Sequence, residues 1–177
     1  VLPQLTERFS GLSYRWEGRQ QDLKEKVVRV LHNLSFVDDP TRIIRAVRFE
    51  QKFDFRIGRH TEYLMKGAIK RGYLRQAQGP RVLNEIMIIL RGEDPIQAFD
   101  RMEELGIPGS LHPSLVFTDK LRAIFGQVEK IVSWFGLLFL DEEPDIGEVY
   151  FNAVMMMKSA EEREQILELF HVGEHRK

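Results

Sequence analysis

The 177 residues include no cysteine. Disulfides, thiolate nucleophiles and cysteine-based metal sites are therefore excluded, and a reducing compartment suits such a chain. Long apolar runs are missing too. The longest, IVSWFGLLFL at 131–140, is too short to span a bilayer as a helix. No signal-peptide pattern opens the chain, so a cytoplasmic location without membrane contact is expected. The 13 glycines are scattered, which rules out a glycine-rich phosphate loop, and neither GxSxG nor HExxH occurs. Strand-like patterning is confined to short stretches near 13–16 and 53–57. His171 and His175 have i,i+4 spacing, but Gly173 lies between them and no third ligand is evident, which argues against a metal site.

What is present is an ordinary globular composition, 43% hydrophobic and 30% charged. The length suits one large domain or two small ones. The chain starts at Val1 without a methionine, as a fragment of a longer protein would. Net charge is only −1 but is unevenly spread. Residues 1–90 hold 17 Lys+Arg against 10 Asp+Glu, and residues 91–177 hold 9 against 17. A basic first half fits a polyanionic partner. Basic and acidic faces that satisfy each other would give the same numbers, and charge alone does not choose.

Helical periodicity dominates. Leu23, Val27, Val28, Val30 and Leu31 predict a helix over about 22–33. Thr61 is placed to cap a helix carrying Tyr63, Leu64, Met65, Ala68 and Ile69. The loop GYLRQAQGP precedes an apolar helix, RVLNEIMIIL. Asp94-Pro95-Ile96-Gln97 reads as a capping box for a helix that Gly106 ends. Thr118 opens a long helix to about Leu140. The acidic loop DEEPDIG leads to EVYFNAVMMMK, and Ser159 with Glu162 forms a last capping box. The expected architecture is an all-α helical array with a soft boundary near Gly92. Met155, Met156, Met157, both Trp and most Phe are expected in the core.

The stretch DDPTRIIRAVRF, residues 38–49, carries the most chemistry. Asp39 is placed as an N-cap and Pro40 at the first helical position. Arg42, Arg45, Arg48 and Lys52 then fall on one arc of the helix. Ile43, Ile44, Ala46, Val47 and Phe53 take most of the rest. One side can enter a core while the other offers guanidiniums beside a carboxylate, an arrangement able to hold an anion with a readable polar edge. Ordinary capping and solvated arginines produce the same spacing.

DDPTRIIRAVRFEQKFDFRI resembles the neck of class II tRNA nucleotidyltransferases and bacterial poly(A) polymerases. The family pattern is an acidic residue, Asp, two residues, Arg, then a helix ending Arg-Phe. GRQQDLKEKVVRVLHNLSF resembles the segment just upstream, and GPRVLNEIMIILRGEDPIQAFDRMEELGI the downstream helix pair. The likeness covers about residues 18–113. Residues 114–177 fit the family's helical body loosely, and residues 1–17 match nothing recognisable. The family's catalytic head, with its Gly-Gly segment, metal-binding Asp-x-Asp pair and Arg-Arg-Asp-Phe segment, does not occur in this sequence.

The resemblance implies a segment joining a catalytic head over 1–35, a neck over 36–91 and a body over 92–177. It implies a template-independent RNA nucleotidyltransferase that adds CMP or AMP from CTP or ATP to an RNA 3′ end. tRNA is the first expectation and poly(A) synthesis the second. Mg²⁺ would be bound by the head, with no cofactor in this chain, which alone should be inactive. Asp39 and Arg42 take the base-reading role. A carboxylate accepts from the exocyclic amine of C or A, and a guanidinium donates to the adjacent ring nitrogen. Arg45 and Arg48 become candidates for triphosphate or RNA backbone, or alternatively for support of Asp39 or plain solvation. Arg81 and Glu85, four apart, would brace the neck through a mutual salt bridge. Asp22 and Arg29 would help position the base-reading helix. Two rivals stand beside this reading: a non-catalytic helical RNA-binding domain, and a helical scaffold for protein contacts.

Overall fold

The computed structural model describes residues 17–77, 79–137 and 144–172. It is an all-α array with one pair of very short strands among the described residues. Helix α1 (Glu17–Lys24) leads to β1 (Val27–Val28), then to the single turn α2 (Ser35–Asp38) and to α3 (Arg42–Lys52). Strand β2 (Arg56–Ile57) returns parallel to β1, with Val27 opposite Arg56 and Val28 opposite Ile57. Helix α4 (Arg59–Lys70) and a 3₁₀ turn follow, then α5 (Gly79–Leu90), α6 (Pro95–Glu104) and α7 (Ile107–Leu111). The chain continues through α8 (Asp119–Gly136), α9 (Ile146–Met156) and α10 (Ala160–Leu169). Among the described residues no helix is long and apolar enough to cross a membrane.

The helix expected over 22–33 stops at Lys24. Lys26 takes φ 52°, which breaks helical continuation, and the β-branched Val27 and Val28 pair with β2 instead. Thr61 is not a cap. It is buried, its hydroxyl accepts from Val30 N at 3.1 Å, and Gly58 opens α4. The caps expected at Asp94, Thr118 and Ser159 are present. Asp94 accepts from Gln97 N at 2.8 Å, Thr118 from Leu121 N at 3.3 Å, and Ser159 and Glu162 form a reciprocal box. The strand-like stretch at 13–16, the end of the long helix beyond 137 and His175 lie outside the described residues.

One contiguous apolar core runs from Phe36 to Phe170 across the charge boundary at Gly92. Ile43, Ile44 and Val47 of α3 are fully enclosed. Helix α6 packs on α3, and α9 lies against α5 and α8. Phe99, Phe117, Phe125 and Tyr150 form a ring cluster with centroid separations of 4.7–5.4 Å. Such edge and tilted pairs add about 0.5–1.5 kcal/mol each beyond area burial. Gly79 marks a tight approach, since a Cβ there would lie 2.0 Å from the Leu169 carbonyl. Two core expectations fail. Met156 is 80% exposed although Met155 is buried, and Trp134 is 60% exposed beside Ile131 and Leu137. Helical spacing turns them away from the core.

Candidate functional site

The site starts where α2 ends and α3 begins. Pro40 fixes φ there, and the backbone winds tightly: Arg42 N donates to Asp39 O at 3.2 Å and Ile43 N to Pro40 O at 3.0 Å. The regular helix therefore opens at Arg42, later than a simple Asp39 cap would place it. The Asp39 carboxylate still serves this turn. Its Oδ1 accepts from the Thr41 amide at 3.2 Å and from the Thr41 hydroxyl. Its Oδ2 accepts from Arg81 of α5 at 2.9 Å. The side chain is only 15% exposed. Burial works to raise its pKa, but the Thr41 hydroxyl and the Arg81 guanidinium outweigh that and hold it below the ordinary carboxylate value. Asp39 is thus a fixed anion.

Arg42 stands beside it, with Nε 3.8 Å from Asp39 Oδ2. Its Nη1 reaches only a 3.5 Å contact with the Ser35 carbonyl. Its Nε is buried without any hydrogen-bond partner. Nε thus faces its counter-charge without closing a hydrogen bond, and the side chain keeps 21% exposure through which the guanidinium can meet an incoming acceptor.

The other arginines of α3 are committed. Arg45 reaches Glu85 Oε1 at 2.9 Å and Arg48 reaches Oε2 at 3.0 Å. Glu85 is buried on α5, so each oxygen of one carboxylate takes one guanidinium from α3. In this structure Arg45 and Arg48 hold Glu85 of the neighbouring helix rather than Asp39. The expected Arg81–Glu85 pair does not form. Both side chains leave their own helix for α3 and its start, where Glu85 meets Arg45 and Arg48 and Arg81 meets Asp39. Asp22 and Arg29 pair with each other, and Arg29 also reaches Glu25 at 2.6 Å.

A second cluster escaped the sequence. Arg101 of α6 donates through Nε to Glu50 at 2.8 Å, through Nη2 to Glu62 at 2.9 Å and through Nη1 to Glu104 at 2.9 Å. Glu50 also accepts from Ile57 N at 2.8 Å. The one available signal was an acidic residue, Glu50, in the core-facing register of α3. Near the acidic loop, Asp145 caps α9 and takes Arg91 in a two-pronged pair, which draws its carboxyl down to about 2.

Asp38, next to Asp39, is more than half exposed and faces His32 at 4.0 Å. Among the described residues no group of three or more His, Asp or Glu side chains is gathered as for a metal.

No protein-family model matches the chain. The array does match solved enzymes. A CCA-adding enzyme in complex with CTP superposes with a TM-score of 0.78 at 36% identity, over 87% of this chain and 36% of that one. A tRNA nucleotidyltransferase complexed with a primer tRNA and an incoming ATP analog gives 0.75 at 31% identity, over 88% and 46%. The fold is therefore the helical array of CCA-adding enzymes. In sequence, the A-adding tRNA nucleotidyltransferase of Geobacter sulfurreducens is 48% identical over 137 residues, which are 77% of this chain and 16% of that protein. The chain belongs to the class II tRNA nucleotidyltransferase family over the part of its members that it spans, less than half of each of these relatives.

Proposed function

We propose that this chain is the neck and body of a tRNA 3′-nucleotidyltransferase, and that Asp39 and Arg42 read the base of the incoming nucleotide. Residues up to 35 join the neck to the catalytic segment, 36–91 form the neck and 92–177 the body. The observation that carries the reading is the paired state of Asp39 and Arg42. A fixed carboxylate lies 3.8 Å from a guanidinium with an unpartnered donor. Each carboxylate oxygen has two lone-pair sites, so Asp39 can keep Thr41 and Arg81 and still accept an exocyclic amine. Arg42 then donates to the adjacent ring nitrogen. Cytosine and adenine satisfy both groups. Uracil and guanine turn a carbonyl toward Asp39, leaving two acceptors face to face, and are rejected. The pair accepts C and A alike.

The relatives' names support tRNA over poly(A) synthesis as the substrate context. In this reading Mg²⁺ belongs to carboxylates of the catalytic segment, and no step through it is derived from this chain. The chain alone is expected to add no nucleotide.

The test replaces the homologous segment of the Geobacter sulfurreducens enzyme with this chain and measures addition from each NTP separately. Retained use of ATP or CTP over UTP and GTP, lost on Asp39→Ala or Arg42→Ala, supports the assignment. Unchanged choice in both folded variants would reduce Asp39 to a helix cap. Salt-sensitive RNA binding with no nucleotide preference anywhere would favour a non-catalytic RNA-binding domain.

A further inference from the structure

Several exposed cations described in this chain are paired: Lys26 meets Asp54, Arg91 meets Asp145 and Arg122 meets Asp100. Others, such as Lys24, Lys120, Lys130 and Arg163, have no ion pair among the described residues but are scattered over α1, α8 and α10. Helix α4 and the turns flanking it gather them in one place. Residues 52–75 hold seven Lys+Arg and two Asp+Glu. Both acids are already engaged, Asp54 by Lys26 and Glu62 by Lys66 and Arg101. Among the described residues no carboxylate lies within ion-pair distance of Arg59, Lys70, Arg71 or Arg75, and all four are exposed.

The cations are ordered. At 100° per residue, Arg59, Tyr63, Lys66 and Lys70 fall within an arc of about 60°, opposite the buried Thr61, Met65 and Ala68. Tyr63 lies in the middle of this stripe and is 74% exposed, an aromatic ring that the fold does not use. At its upstream end the stripe meets a groove of about 480 Å³ lined by Arg56, Arg59 and His60. The span from Arg59 to Lys70 is about 16 Å at 1.5 Å per residue.

We propose that this face of α4 is a track for an RNA strand, with Arg56, Arg59 and Lys70 on phosphates and Tyr63 stacked on a base or ribose. The inference rests on the proposed RNA-handling function and names the surface that serves it. Charge complementarity selects a polyanion, and the exposed aromatic between cations selects a nucleic acid over an acidic protein, because bases stack and carboxylates do not. The stripe is separate from the arginines of α3, two of which are consumed by Glu85.

The test is fluorescence anisotropy of the 177-residue chain with a labelled tRNA transcript across a salt series. Arg59→Ala with Lys70→Ala is expected to weaken binding at least roughly tenfold and to reduce the salt slope by about 1.4–1.8, for two lost phosphate contacts. Tyr63→Ala is expected to weaken binding several-fold with an unchanged slope, and Tyr63→Phe to restore it. Lys120→Ala with Lys130→Ala, on α8, should change neither. Wild-type affinity and slope in the α4 variants, beside clear binding by the unaltered chain, would overturn the track and leave the base-reading proposal standing. Equal loss from the α8 variant would also overturn it. Absence of binding by the unaltered chain would overturn the track together with the RNA-binding part of the proposed function.

Discussion

The two ends of helix α3 make the same kind of contact and spend it differently. At the far end, Glu50 and Arg101 use up their capacity: each Glu50 oxygen has a donor and each Arg101 nitrogen has an acceptor. At the near end, Asp39 is held but Arg42 is left with a buried unpaired donor. A saturated cluster fixes structure. An unsaturated one beside a fixed anion is where a ligand gains something, since the exposed part of the Arg42 guanidinium can close a charge-assisted bond that the fold leaves open. Between them, Glu85 takes both middle arginines and keeps the helix from rolling.

The largest effect should come from the saturated end. Glu50→Ala leaves Arg101 Nε and Ile57 N without acceptors while Glu62 and Glu104 still hold the guanidinium, and at about 1–3 kcal/mol for each orphaned donor it is expected to destabilise by about 2–6 kcal/mol. In a domain of this size that lowers the melting temperature by roughly 4–24 °C. Base choice in the surviving folded fraction should stay normal. Selective loss of C and A preference at full stability would show that the comparison is drawn at the wrong end.

Glu85→Ala should come next, and it should blur the contrast. Freeing Arg45 and Arg48 is expected to destabilise by about 2–4 kcal/mol and to loosen base choice as well, because the helix bearing Arg42 loses its seat. Glu85→Gln should recover part of the stability. A thermal melt run beside single-nucleotide addition separates the two readouts, and a variant with unaltered choice would uncouple α5 from the site.

Asp39→Ala and Arg42→Ala should reverse the order of effects. Asp39→Ala should lower stability by only about 1 kcal/mol, the worth of a cap. Arg42→Ala should change it little, since that guanidinium reaches only a 3.5 Å contact with the Ser35 carbonyl beside its 3.8 Å approach to Asp39. Discrimination against UTP and GTP should collapse in the first, and use of every NTP should weaken in the second. A melting loss matching that of Glu50→Ala would mean that the near end is also structural.

The smallest effect sets the baseline. Asp145 is an exposed pair with Arg91, its carboxyl held at about 2 against an ordinary 3.8. A depressed acid contributes fully above its ordinary value and loses that contribution as pH falls through the lowered one. Wild type and Asp145→Asn, which keeps a capping oxygen, should therefore differ slightly in melting temperature above pH 4 and converge toward pH 2. A gap that widened with acidity would have the wrong sign.

The start of α3 was legible because its signals are local. Pro40, the cap-type acid and the arginine spacing all act within one or two helical turns. The partners were not legible. Arg81 reaches Asp39 across 42 residues, and Arg45 reaches Glu85 across 40. Spacing along α5 offered a nearer pair, Arg81 with Glu85, and local reasoning took it, whereas both meet partners on α3 and at its start. Val27 and Val28 misled in the same way. Their apolar rhythm fits a helix, and only β2, nearly thirty residues on, makes them a strand. Arg101 was invisible, since a lone arginine on an amphipathic helix carries no local sign that three carboxylates from three helices converge on it.

The fastening of α3 also turns that helix into a ruler. From Asp39 to Glu50 the chain is gripped at four places, by Arg81, twice by Glu85 and by Arg101 with Ile57 N. One residue inserted or deleted between them would rotate one grip by about 100° against the others and shift it by about 1.5 Å, too much for pairs closed at 3 Å. Side chains along this stretch can vary while its length holds. Aligned sequences that share this fastening should run from 39 to 50 without a gap, and their insertions should gather in the connections on either side.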